Sequence, residues 1–178
     1  MIAYKAFEKG LKCRGLKYKT DKVNKFKGAK CVREGAHCAE NPLDMFTYYP
    51  NIETSEYWLV ICGGDINEDG NDSKLACTEL TLKRELTIPE IAISALIFQR
   101  EHPDREAWKG STYVKEGYFK LKKGNNPVLS GSKGEWLGYA VETEAGYEIY
   151  AFPVDGEHIK AKVKYNALGQ EVKKNASV

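Results

Sequence analysis

His37 is the residue whose type and position could best support chemistry in this sequence. It lies in the segment 35–38, directly before a predicted helix. A histidine at a strand end that faces a helix N-terminus is well placed to help bind an anion, because the backbone N–H groups there lack partners. The sequence therefore predicts a pocket formed by His37, Asn41, Asp44, Tyr48 and Tyr49. In the alternative interpretation, the surrounding loop satisfies both ring nitrogens of the histidine.

The five cysteines predict reduced thiols rather than disulfides or a metal site. Their number is odd and the N-terminus has no apolar leader, which is typical of proteins from a reducing compartment. The nearest metal-like group, Cys31, His37 and Cys38, lacks the paired short spacings of a zinc site. Cys62 and Cys77 lie in apolar runs, so we expect both to be ordinary core residues. The sequence thus predicts no metal ion and no cofactor.

The segment 65–70 begins like a calcium-binding loop, but its twelfth position is Ala76, where a bidentate glutamate is required. We therefore interpret this segment as a turn between two strands. The strong motifs of nucleotide-binding proteins, zinc proteases and serine hydrolases do not occur in the sequence. These observations favour a binding protein over an enzyme.

The net charge of +2 conceals a strong separation of charge along the chain. Residues 1–33 contain eleven lysines and arginines against two acids, whereas residues 34–79 contain ten acids and one lysine. A basic block of this kind could bind nucleic acid or an acidic protein surface. The candidate basic surface consists of Arg14, Lys17, Lys19, Lys22 and Lys25. Alternatively, the basic strands lie beside the acidic segment and neutralise it, with lysines on a solvated strand face.

Short strands and one capped helix are predicted in the first half of the chain. The strands are predicted over 2–7, 16–19, 30–33, 57–62 and 75–82. Asn41 is predicted to cap the helix, Leu43 and Phe46 to form its buried face, and Pro50 to end it. These elements would hold the predicted pocket together.

A second helix is predicted between Thr87, which would cap it, and His102. Beyond it, glycines separate short aromatic and β-branched runs, which predicts strands joined by tight turns. The whole pattern predicts an α+β protein: a mixed or antiparallel sheet with two helices in the N-terminal half and a β meander in the C-terminal half. We expect an α+β domain over 1–103 and a β-rich region over 104–178 packed against it.

Five segments of the chain carry distinctive motifs: 4–18, 31–50, 72–76, 85–88 and 154–162. They include Gly35-Ala36-His37-Cys38 and Val154-Asp155-Gly156-Glu157. Together they resemble an uncharacterised protein family that is common in phages and prophages. The resemblance implies that many relatives carry glycine-rich β repeats between two halves, reduced here to about residues 104–134. It implies no particular activity.

The first strand, the segment 35–38 and the tyrosine pair also resemble parts of ADP-ribosyltransferase folds. That resemblance implies NAD binding and a catalytic glutamate late in the fold, for which Glu79 and Glu85 are the candidates. The sequence lacks the Ser-Thr-Ser signature of those enzymes, and neither Glu79 nor Glu85 is part of a Glu-x-Glu pair.

These patterns and resemblances predict a phage- or prophage-encoded, non-catalytic binding protein that acts on a host macromolecule. A host protein in the cytoplasm of the bacterium is the expected partner, counter-defence is one such role, and no membrane association is expected. Two alternatives stay open: an ADP-ribosyltransferase-like or NAD-binding domain, and a nucleic-acid-binding protein that uses the basic N-terminal third.

Overall fold

The computed structural model describes residues 1–31, 33–68 and 73–173. The chain divides into two compact units, Met1–Thr87 (unit 1) and Ile88–Val178 (unit 2). Among the described residues, 45% lie in strands and 14% in helices. The predicted α+β class is therefore wrong, because the molecule is mostly β and the described part contains only two α-helices.

Unit 1 is built on one antiparallel sheet. Its strands in the described residues are β1 (Ile2–Glu8), β2 (Lys12–Cys13), β3 (Leu16–Lys17), β4 (Asn24–Lys25), β5 (Ala36–Ala39), β6 (Ser55–Glu68) and β7 (Lys74–Glu85). β1 pairs with β5 and β6, and β7 pairs with the same two strands, so these four strands close into a ring. The β2–β3 hairpin extends from β1, and β4 lies along β7.

The long β6–β7 hairpin supplies two sides of this ring. The strands predicted over 57–62 and 75–82 are confirmed as neighbours, and both extend beyond the predicted limits. Their pairing shifts register between Leu59 and Val60 and again between Gly63 and Ile66. Such irregularities bend a strand and increase its twist, which helps the paired strands to curve towards closure.

The core of unit 1 is formed by the inward-facing residues of these strands. Cys62 and Cys77 are 2% and 0% exposed, which confirms them as core residues. Alternate residues of a strand face the same side, and in β1 the buried series is Ala3, Lys5 and Phe7. A lysine thus occupies a core position of the first strand.

The first predicted helix is much shorter than expected. Pro42–Asp44 forms a 3₁₀ turn, and only Met45–Tyr48 (α1) is α-helical. Asn41 caps this segment as predicted, because its side chain accepts a hydrogen bond from the backbone N–H two residues later, at 3.1 Å. Tyr49 leaves the helical conformation, as residues before a proline tend to do. A second 3₁₀ turn, Ile52–Thr54, leads into β6.

Unit 2 contains one helix and two small sheets in its described residues. The elements are α2 (Ile88–Glu101), β8 (Thr112–Lys115), β9 (Phe119–Gly124), β10 (Val128–Leu129), β11 (Trp136–Thr143), β12 (Gly146–Pro153) and β13 (Tyr165–Asn166). The helix predicted after Thr87 is confirmed. The predicted meander is wrong, because β9 and β11 pair in parallel while β10, between them in the chain, pairs with β13.

The helix α2 packs on β9, β11 and β12. Gly138 on β11 permits this approach, because a Cβ atom there would lie 3.0 Å from Leu96 Cδ1 of the helix. The division between the units precedes α2, whereas the change of composition near residue 103 follows it. Within the described parts of the chain, no helix has both the length and the apolar character needed to cross a bilayer.

Candidate functional site

Unit 1 contains a cavity of about 430 Å³ beside β1, β5 and α1. The basic side chains that line it are Lys5, Arg14, Arg33 and Lys74. Asp44 is the single carboxylate among its described lining residues. The aromatic rings of the wall are those of Tyr4, Tyr18, Phe26, Tyr48 and Tyr49. The cavity therefore combines an excess of positive charge with flat apolar surfaces.

Lys5 is the most buried of these cations, with 4% of its surface exposed. Its Nζ donates a hydrogen bond to the carbonyl oxygen of His37 at 2.6 Å and lies 3.7 Å from Cys13 Sγ. The same atom is 5.1 Å and 5.2 Å from the ring centroids of Phe7 and Tyr18. Burial lowers the pKa of Lys5, because desolvation disfavours the charged form. No carboxylate of the described residues opposes this effect.

His37 is half-buried on β5, and its Nε2 is a buried atom without a hydrogen-bond partner in the described structure. Burial lowers the pKa of His37, and the positive charges of Lys5, Arg14 and Lys74 lower it further, against a hydrogen bond to the Lys30 backbone that raises it. The imidazole is therefore neutral at pH 7. The Lys30 backbone satisfies one side of the ring, and Nε2 on the other side is buried without a hydrogen-bond partner among the described residues.

The side chains of Tyr48 and Tyr49 differ in their exposure to solvent. Tyr48 is 47% exposed, and Lys74 Nζ lies 4.4 Å from the centroid of its ring. The Tyr49 hydroxyl donates a hydrogen bond to Cys13 Sγ at 3.3 Å, and the backbone oxygen of Tyr49 accepts one from the Tyr57 hydroxyl at 2.6 Å. Burial raises the pKa of Tyr49. Tyr49 is thus a fixed part of the wall, while Tyr48 offers an exposed ring.

Asp44 and Asn41 hold the segment before α1 in place through Ser73. The Ser73 hydroxyl donates to Asp44 Oδ2 at 2.6 Å and accepts from the Asn41 backbone N–H at 2.9 Å. The Asn41 side chain caps the turn and is 4% exposed. Asn41 therefore has a structural role, and one carboxylate oxygen of Asp44 is occupied by its hydrogen bonds from Ser73.

Four of the five predicted pocket residues, His37, Asp44, Tyr48 and Tyr49, line one cavity, and Asn41 lies outside its lining. The predicted helix N-terminus for an anion is not formed, because α1 has only one turn. Sequence reasoning missed Lys5, although its place in the alternating core series of β1 was a usable signal. It also missed Arg33 and Lys74, whose positions depend on strand pairing that no local pattern shows.

The predicted basic surface divides between two places. Arg14 lines the cavity from the turn of the β2–β3 hairpin, where its φ is 50°. The other four, Lys17, Lys19, Lys22 and Lys25, line a neighbouring surface hollow of about 440 Å³. Lys25 Nζ lies 3.1 Å from a carboxylate oxygen of Glu79. This ion pair joins the basic N-terminal segment to the acidic segment, as the neutralisation alternative predicts. Because both side chains are exposed, that pair stabilises the fold little.

Other predicted candidates are placed differently. Cys31 Sγ lies 3.1 Å from the backbone oxygen of Asn67, away from a group that three other cysteines form. The calcium-like segment 65–70 starts within β6, and its residues 69 and 70 lie outside the described residues. Glu79 and Glu85 lie on β7, and neither is among the described lining residues of the cavity.

Comparison with known proteins gives one match. Residues 1–94 match a family described as Domain of unknown function (DUF7666). The match covers more than half of the chain and the whole of unit 1. No curated protein and no solved structure matches the chain.

Proposed function

The chain belongs to the DUF7666 family, and we propose that it is a non-catalytic binding protein whose unit 1 cavity takes a nucleotide-like anion. The observation that carries this proposal is the charge of the cavity, where four basic side chains accompany one carboxylate among the described lining residues. A buried ammonium group is stable only if an anion or several dipoles compensate it. A bound phosphate would supply that compensation to Lys5.

The cavity matches two chemical features of a nucleotide, its phosphate and its planar base. Arg14 and Arg33 carry guanidinium groups, which bind phosphate oxygens through paired hydrogen bonds. Tyr48 offers an exposed ring on which a base can stack. Small-molecule sites typically measure about 300–1,000 Å³, and the cavity volume of about 430 Å³ lies in that range.

The groups around the cavity support binding without catalysis. The His37 ring is held by a hydrogen bond to the Lys30 backbone, and no carboxylate is among the charges that shift its pKa, so the described residues show no carboxylate–histidine pair of the kind used in acid–base catalysis. Asp44 is held by Ser73. Glu79 and Glu85, the glutamates that ADP-ribosyl transfer would require, are missing from the described lining. NAD belongs to the proposed class of ligands, and we expect the protein to bind it without cleaving it.

Thermal melting and calorimetric titration with ATP, NAD, ADP-ribose and adenosine test this function. We expect the three phosphate-bearing compounds to raise the melting temperature, because a ligand that binds only the folded state stabilises it. Adenosine should shift it little. Arg33→Gln should weaken nucleotide binding about tenfold, whereas Arg100→Gln, a matched change on α2, should not. No shift with any phosphate-bearing compound would overturn the proposal.

The neighbouring hollow favours a second function, the binding of a macromolecule. Lys17, Lys19 and Lys22 are exposed around it, and Leu16 and Val23 beside them are 54% and 39% exposed. Exposed apolar side chains within a charged surface are typical of protein-binding sites. We propose an acidic host protein in the bacterial cytoplasm as the partner of a phage- or prophage-encoded chain, with counter-defence as one such role.

Charge reversal tests this second function. The triple variant Lys17→Glu, Lys19→Glu and Lys22→Glu should lose a partner captured from host lysate. The control carries the same three changes at Lys160, Lys162 and Lys164, which are exposed in unit 2, and should keep the partner. Binding to DNA or RNA that falls steeply with salt, and that the first triple variant loses, would replace the host protein with nucleic acid.

A further inference from the structure

Three cysteines from three strands meet in the core of unit 1. They are Cys38 on β5, Cys62 on β6 and Cys77 on β7, and their Sγ atoms all lie within 4.8 Å of one another. Their exposed fractions are 6%, 2% and 0%. Because β7 pairs with both other strands, the meeting of these sulfurs follows from the closed sheet. No spacing in the sequence indicates it.

The distances suit a single metal ion at the centre of the three sulfurs. Metal–thiolate bonds are about 2.3 Å long, so three sulfurs in a plane around one ion would be about 4.0 Å apart. The observed separations permit this arrangement with small side-chain movements. Cys38 is also a lining residue of the unit 1 cavity, which gives an ion a route to the cluster.

The surroundings of the cluster favour a soft metal ion. The surrounding core is apolar, with Phe7, Val60 and Leu80 among its buried residues. An apolar pocket of sulfur donors selects soft ions over hard, strongly hydrated ones.

We propose that Cys38, Cys62 and Cys77 form a buried three-sulfur site for one Cu(I) ion. Zinc takes four ligands in almost all structural sites, and the described residues add no fourth histidine, cysteine or carboxylate to this group. Cu(I) is a soft ion that thiolates select. Each thiol that coordinates as thiolate releases one proton to solvent, and the copper keeps its oxidation state. The Lys5 ammonium offsets part of the remaining negative charge.

Anaerobic titration of the reduced full chain with Cu(I), against a chromophoric Cu(I) chelator, tests the site. We expect one Cu(I) per chain and a rise in melting temperature. Each of Cys38→Ala, Cys62→Ala and Cys77→Ala should abolish the tight binding. The double variant Cys13→Ala and Cys31→Ala removes the two cysteines outside the cluster and should bind like the wild type.

X-ray absorption on copper bound to that double variant keeps the test decisive even if a core variant fails to fold. Three sulfur neighbours would support the site, whereas nitrogen or oxygen neighbours, or fewer than three sulfurs, would overturn it. A parallel titration with Zn²⁺ is the metal control. Equal or tighter binding of Zn²⁺ would overturn the assignment to Cu(I).

Discussion

Lys5 shows how a single residue can oppose stability and serve binding. Its side chain lies in the core series of β1, its Nζ has one short hydrogen bond, to the His37 backbone, and burial lowers its pKa from the ordinary value of 10.5. A lowered lysine pKa means that the unfolded chain holds this proton more tightly than the folded one. The folded state therefore bears a penalty below the lowered pKa, and that penalty diminishes as the pH rises towards 10.5.

Lys5→Met should accordingly make the protein more stable and less functional. Removing the buried charge at similar volume should raise the free energy of unfolding at pH 7 by about 1 kcal/mol, since desolvation of an ammonium costs more than the hydrogen bond it makes returns. Nucleotide binding should fall at least tenfold. Denaturant melts and titrations of the same samples measure both effects. A variant that is destabilised and still binds normally would contradict this account.

His37 predicts a pH dependence of the same sign as Lys5, at lower pH. Burial holds its pKa below the ordinary value of 6.5, so the unfolded chain protonates first as the pH falls. The free energy of unfolding should therefore decrease as the pH drops below 6.5, and the loss should end at the lowered pKa of the folded state. His37→Gln should flatten this part of the profile, which melts between pH 7 and pH 5 would show.

The matched control for this prediction is His158→Gln. The His158 side chain is 87% exposed, beside Asp155 in unit 2. A profile that changes as much in the control as in His37→Gln would mean that the dependence does not come from the cavity.

At the scale of elements, the short capped segment formed by the 3₁₀ turn and α1 is more important than its length suggests. Phe46 is 6% exposed, and its ring centroid lies 5.1 Å from that of Tyr57 on β6. Phe46→Ala should cost about 3–5 kcal/mol, the usual loss for a buried aromatic ring. Asn41→Ala should cost about 1 kcal/mol through the lost cap. Chemical denaturation of both variants measures these losses.

The two variants should also affect ligand binding differently from His37→Ala. Phe46→Ala should reduce binding because the segment that carries Tyr48 and Tyr49 unfolds, whereas His37→Ala should reduce it with little change in the melt. If Phe46→Ala melts like the wild type, this face is not part of the core. The aromatic residues would then form an exposed surface for a partner.

The elements that could be predicted from the sequence are those with local signals. The helix α2 has a capping signal in the sequence at its start and a regular apolar period, and the β6–β7 pair has two apolar runs around a polar loop. The α+β class failed because the ring depends on pairing between β1, β5 and β7, which lie far apart in the chain. The same long-range pairing brings Lys74 to the cavity and three cysteines together, so these features had no signal in local spacing.

At the scale of the whole molecule, the family match and the structural units end at different places. The match covers residues 1–94, whereas unit 1 ends at Thr87 and α2 belongs to unit 2. The additional residues of the match form the first half of α2. In the full chain, α2 packs on strands of unit 2, and its Ile91 is 0% exposed. A chain cut at 94 would therefore expose apolar surface that a chain cut at 87 does not carry.

We therefore expect a fragment of residues 1–87 to fold alone, because the closed sheet, its core and the cavity all lie within it. It should melt cooperatively and bind ATP with the affinity of the full chain. A fragment of residues 1–94 should bind equally well, be less soluble, and lose its last residues first in limited proteolysis, since half a helix without its packing partners is unstable in water. Circular dichroism, titration and mass spectrometry of the digests measure these outcomes. A 1–87 fragment that is unfolded would show that unit 1 needs the rest of the chain, and a folded fragment without affinity would place the ligand outside the cavity.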